Sequence, residues 1–152
     1  MTTRYKANHL RIGRYSEPGR IYLLTAVVQN REPVFQDFYL GRLLVNSLRT
    51  AQEEYSARAL AWVVMPDHFH WLVELQKASL EELMGKTKSR TTLAVNQRMD
   101  RVGPLWQKGF HDRALRREED LPAMARYIVA NPLRAGLVMR VGDYPLWDAI
   151  WL

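Results

Sequence analysis

Two of the chain's four histidines stand one residue apart in MPDHFHWLVEL (65–75), directly after a Pro-Asp pair and inside an apolar run. Side chains alternate along a strand, so His68 and His70 project from one face while Phe69 and Trp71 project from the other. Their Cβ atoms then lie about 7 Å apart, twice the strand rise, and two imidazoles at that spacing can share one cation. The apolar face would pack the core and hold the rings in place. A pair of polar residues at a strand start has the same pattern. A metal reading therefore needs a third ligand and a task for the cation.

ARYIVANPLRAGLV (125–138) supplies candidates for both. Tyr127 and Asn131 are four apart and share a face if the helix runs that far. The proline after Asn131 biases its backbone away from the helix and weakens the inference there. Leu121, Met124, Ala125 and Ile128 form a neighbouring apolar stripe for docking on a sheet. A phenol ionises near pH 10 and is a weak nucleophile unless a phosphodiester is held in line and a cation stabilises its charge. A phosphotyrosine formed that way keeps the bond energy, which is the chemistry of nicking and joining. A tyrosine beside such a stripe is equally an ordinary packing residue.

Several elements must position these groups. IYLLTAVVQ (21–29), after the turn SEPGR, reads as a β-branched and aromatic strand. Residues 37–57 place Phe38, Leu44, Val45 and Leu48 at helical spacing. ALAWVVM (59–65) and HFHWLVEL (68–75) are strands joined through Pro66-Asp67 as a tight antiparallel hairpin. Residues 79–99 open on a capping box, Ser79 with Glu82, and should be helical. Residues 104–116 read as an irregular strand broken at Gly109. Residues 117–132 read as a helix, with acidic residues before it, Pro122 in its first turn and Asn131-Pro132 at its end. This order implies an α+β ferredoxin-like sandwich: an antiparallel sheet with helices packed on one face and the other face open to a ligand.

Composition bounds the partners. The 152 residues suit one domain, with a basic arm over 1–20 and an aromatic tail over 139–152. Hydrophobic residues make up 47% and charged residues 25%, as in ordinary globular proteins. No apolar run reaches the roughly 20 residues of a bilayer span, and the basic start lacks the apolar stretch of a secretory signal. No membrane association and a cytoplasmic location are the expectation. The absence of cysteine removes disulfides, thiolate catalysis and cysteine zinc sites. A net charge of +6 suits a polyanion, nucleic acid first.

Taken together, VVMPDHFHWLVE, WQKGFHDRALR, YIVANPLRAGLV and GDYPLWDAIWL, in this order from about Tyr15 to the C-terminus, resemble the REP-associated tyrosine transposases. These are relatives of the single-tyrosine insertion-sequence transposases within the His-hydrophobic-His nucleases. The resemblance implies an enzyme that binds the DNA hairpin of a repetitive extragenic palindrome (REP) and cleaves single-stranded DNA beside it. His68 and His70 match the metal pair. Tyr127 matches the nucleophile that takes the 5′ phosphate and releases a 3′ hydroxyl. Relatives draw a third ligand from a polar residue one turn after the tyrosine, here Asn131. Two imidazoles, an amide oxygen and waters suit Mg²⁺ or Mn²⁺, with Mn²⁺ better matched to nitrogen. Asp67 stands where such hairpins often carry Asn, as a turn residue with a supporting role behind the ligands.

The stretch before the first strand implies base contacts from Arg11, Arg14 and Tyr15; a basic arm without that role is the alternative. Lys86, Lys88 and Arg90 form one basic cluster, and Arg113 with Arg117 share one side of RALRR. Phosphate contacts from these would be sequence-blind and salt-sensitive. His111 is a spare imidazole for which surface or packing is the reading. Trp106, Trp147 and Trp151 are read as core. The REP-associated branch implies a monomer rather than a dimer. A catalytically silent hairpin-binding protein and a water-using phosphohydrolase are the alternatives in function.

Overall fold

The computed structural model describes residues 19–55, 57–116 and 120–151. Arg11, Arg14, Tyr15 and Arg117 lie outside them. Among the described residues five strands form one antiparallel sheet: β1 (Ile21–Val27), β2 (Arg58–Met65), β3 (His68–Glu74), β4 (His111–Ala114) and β5 (Trp147–Ala149), in the order β4-β1-β3-β2-β5. Its first four members, with their two crossover helices, make the ferredoxin-like arrangement. β5 adds the aromatic tail to the free edge of β2.

The two crossover helices, α1 (Phe38–Glu54) and α2 (Leu80–Met99), cover one face of the sheet. α1 starts where Asp37 accepts from the amides of Tyr39 and Leu40. α2 starts at the Ser79–Glu82 capping box, as its sequence predicts. Leu44, Val45 and Leu48 of α1 and Leu80, Leu83 and Met84 of α2 meet Leu24, Phe69, Trp71 and Val73 of the sheet in one core. Phe38 does not join them: it is exposed in the first turn, and Leu40 takes the core position.

A second, smaller core lies on the opposite face. Leu60, Val63 and Met65 of β2 and Leu72 of β3 meet Ala125, Ile128 and Val129 of a third helix, α3 (Leu121–Val129). The long helices thus share one face, and α3 partly roofs the other instead of leaving it open. Asp120 caps α3 by accepting from the amide of Ala123, and Pro122 sits in the first turn.

Other departures from the sequence reading have local causes. α3 stops at Val129 because Ala130 leaves helical geometry, and Asn131–Arg134 form a separate short turn, α4, with Pro132 at its start. The strand expected over 104–116 shrinks to β4 and an isolated bridge between Trp106 and Val28, because Gly109 turns the chain at φ 77°. Trp106 is buried as expected. Trp147 is only partly buried, and Trp151 is exposed rather than core, since β5 ends the sheet before the tryptophan can fold back.

Phe69 is fully buried between the helices and the sheet, one residue from each histidine. Phe69→Ala should cost about 3–5 kcal/mol in urea denaturation, and a loss below about 1 kcal/mol would contradict its place in the core.

Candidate active site

The hairpin register pins the histidines. β3 pairs with β1 and β2 along its whole length, so His70 lies between Thr25 and Val63, and His68 between Val27 and Met65. The buried faces of Phe69 and Trp71 send both imidazoles to the α3 side. Their ring centroids are 4.9 Å apart and nearly perpendicular.

Both rings are held from behind. Nδ1 of His68 lies 2.7 Å from Oδ1 of Asp67, an acceptor only, so Nδ1 carries the hydrogen and Nε2 is left as the ring's ligand-binding atom. Asp67 is itself gripped by Arg31, at 2.9 Å. Burial alone would raise the Asp67 pKa, but hydrogen bonds from His68 and Arg31 outweigh it and lower the value, so the carboxylate stays ionised. Nδ1 of His70 lies 2.8 Å from the Thr25 hydroxyl, which can accept from Nδ1–H and again leave Nε2 bare. Burial, with repulsion from His68 and Arg134, depresses the His70 pKa to about 4, so the ring is neutral near pH 7.

The tyrosine comes in from above. A cleft of about 620 Å³ opens between the sheet and α3, and His70, Tyr127 and Asn131 all line it, with Leu23, Met124 and Ile128 as apolar wall. Tyr127 is 61% exposed, open to a large substrate. The break at Ala130 does not separate the pair: Asn131 lines the cleft from the start of α4. Its amide donates to the carbonyl of Ile128 at 2.8 Å, which orients the side chain. Its Oδ1 accepts from Arg134 at 2.8 Å. The Arg134 guanidinium also lies over the Tyr127 ring, its central carbon 3.7 Å from the ring centroid.

The donor set fits a divalent cation: two imidazoles whose Nδ1 atoms are fixed by hydrogen bonds, and an oriented amide oxygen in the cleft that His70 lines. Among the described residues no group of three or more His, Cys, Asp or Glu gathers to hold a metal.

The basic residues divide. Arg113 lines the cleft from β4, opposite Leu23 of β1. Lys86 is exposed on α2, in the layer on the other side of the sheet. Lys88 donates to the carbonyls of Gln107 and Gly109, at 3.1 and 2.6 Å, and so fastens α2 to the loop before β4. Arg90 pairs with Glu54 of α1 at 3.2 Å. His111 is exposed at the edge of the sheet, opposite Thr25.

Sequence reasoning assigned no role to Thr25, Arg31 or Arg134. Arg134 had a readable signal, seven residues after Tyr127 and three after Asn131, both helical spacings. Thr25 and Arg31 had none, because their partners are fixed only by strand pairing.

The family model for IS200-like transposases matches residues 19–131, from β1 to the residue that follows the tyrosine by one turn. The chain belongs to the IS200-like transposases. Members of this family are DNA-nicking and joining enzymes with a tyrosine nucleophile, and they use a divalent metal. A Haemophilus influenzae protein designated a REP-associated tyrosine transposase is 28% identical over 138 residues, covering 84% of this chain and 78% of that one. The REP-associated tyrosine transposase of Escherichia coli is 25% identical over 134 residues, covering 87% and 78%. A solved REP-associated tyrosine transposase bound to a REP hairpin shares the fold at TM-score 0.75 and 24% identity, over 88% of this chain and 79% of that one. A Deinococcus radiodurans transposase structure aligns at TM-score 0.55 and 17% identity, over 78% and 93%. Among the described residues no helix of this transposase is long and apolar enough to cross a membrane.

The buried neutral imidazole has a thermodynamic consequence. An unfolded histidine takes up a proton near pH 6.5, whereas folded His70 does so only near pH 4. Between those values the unfolded chain binds more protons, so stability falls as pH falls, by on the order of 3 kcal/mol across the window. Urea denaturation at pH 7.5 and at pH 4.5 should show this loss reduced in His70→Gln. An equal loss in both proteins would contradict the assignment.

Proposed function

We propose that this transposase is a metal-dependent single-stranded DNA endonuclease and strand transferase that binds REP-type hairpins and cuts beside them. The observation that supports this most directly is that Tyr127, His70 and Asn131 of one chain line a single cleft. In this reading His68, His70 and the amide oxygen of Asn131 hold Mg²⁺ or Mn²⁺, which when bound neutralises charge on the scissile phosphate. Mn²⁺ suits the two nitrogens better.

The chain's own groups then divide the work. Tyr127 gives up its phenolic proton to solvent and its oxygen bonds to phosphorus. The bond from phosphorus to the 3′ oxygen breaks, and that oxygen leaves as a hydroxyl after taking a proton. The 5′ phosphate stays on the tyrosine until a 3′ hydroxyl attacks and reverses the sequence, so rejoining needs no ATP. Asp67 and Thr25 keep the two imidazoles aimed. Arg113 beside the cleft, Lys86 on the far layer and Arg117 are candidates for DNA phosphates, and Arg11, Arg14 and Tyr15 for bases next to the hairpin foot. Lys88 and Arg90 have their charged heads engaged within the protein, and their part in this reading is to hold α2. Phenol and imidazole in one cleft support a single-domain monomer acting in cis; a cytoplasmic location is part of the same proposal.

The test is a labelled REP-type hairpin with a flanking single strand, incubated with Mn²⁺ and resolved on a denaturing gel. A covalent adduct is expected, and chelation should abolish it. Tyr127→Phe should lose the adduct and keep hairpin binding within about threefold. An adduct undiminished in Tyr127→Phe would reject the nucleophile. Phosphodiester turnover surviving in that variant would point instead to water as the attacking group.

A further inference from the structure

Arg134 joins two parts of the cleft that the reaction uses separately. Its guanidinium lies over the phenol ring of Tyr127 and donates to the amide oxygen of Asn131. It is exposed, at the end of a four-residue turn. A long side chain held on the surface by two groups of a catalytic cleft is held there by those groups.

Resting on the functional reading above, we propose that Arg134 is a latch displaced by the divalent cation. With the cleft free of metal, the guanidinium occupies the amide oxygen of Asn131 and covers the tyrosine ring. A dication and a guanidinium repel each other across one shared oxygen, so the two compete for it. Loss of that hydrogen bond leaves the stack on Tyr127 as a tether. The released N–H fork then lies beside the attacking oxygen, in reach of the non-bridging oxygens of a phosphate there, and its planar shape matches them. Arg134 thus opposes metal binding in the free enzyme and stabilises the growing phosphate charge in the loaded one.

The two roles predict opposite signs in two measurements. Mn²⁺ affinity, read by electron paramagnetic resonance of the free ion without DNA, should be roughly tenfold tighter in Arg134→Ala, which lacks both the competing bond and the like charge. The single-turnover rate of adduct formation at saturating Mn²⁺ should fall about a hundredfold in the same variant. Arg134→Lys should bring Mn²⁺ affinity back towards the wild-type value, because the charge returns. It should not restore the rate, because the planar fork does not. Thermal melts of both variants report the fold, which a substitution at this exposed position should leave intact. Unchanged or weaker Mn²⁺ binding in Arg134→Ala, or an unchanged rate at saturating Mn²⁺, overturns the latch. A wild-type protein that neither binds Mn²⁺ nor forms an adduct overturns the functional reading itself.

Discussion

The register of β3 is the constraint on which the site depends. Its side chains alternate between a dry core and the cleft, so a slip of one residue would bury both imidazoles and expose Phe69 and Trp71. That slip is opposed at three places. The turn at Pro66-Asp67 is only two residues long, so Met65 must face His68. The carbonyl of Asp67 accepts from Val28 at 2.8 Å, and that of Pro66 from Phe35 at 2.9 Å, which ties the turn to the segment after β1. β1 then pairs with β3 from Val27 to Ile21. One carboxylate serves both the turn and the site, since Asp67 holds Arg31 with one oxygen and His68 with the other.

The opposite wall of the cleft is less strongly fixed. α3 is nine residues long and docks through a small apolar cluster, and α4 follows a break at Ala130. Such elements open at lower cost than the paired strands, so the rigid half of the site carries the imidazoles and the yielding half carries Tyr127. This division suits an enzyme that must keep a cation fixed while a phosphotyrosine forms and is later released.

Sequence alone made the fixed half legible. Period-two alternation through HFHW settles which residues face which side, and the capping box at Ser79 and Glu82 marks the start of α2. It also grouped Tyr127 with Asn131, although for an incomplete reason: they line one cleft across a helix break, not along an unbroken helix. Contacts made by long or exposed side chains were out of reach. Lys88, Arg90 and Arg134 are all simply basic in the sequence, yet one fastens a loop, one bridges two helices and one lies across the tyrosine. A cation's role is set by whichever acceptors tertiary packing brings within 3 Å or so, and no local pattern carries that. Thr25 was silent for the same reason, since its partner comes from a strand 45 positions away.

The central claim is that one chain's tyrosine and one chain's histidine pair converge on a single cation. A crystal structure of the transposase with Mn²⁺ and a hairpin carrying the flanking strand tests it most directly, by the anomalous signal of the metal. The account predicts a peak bonded to Nε2 of both His68 and His70, with the Tyr127 oxygen of the same chain against the scissile phosphate. A peak away from both imidazoles, or a phosphate met by the tyrosine of another copy, would contradict it.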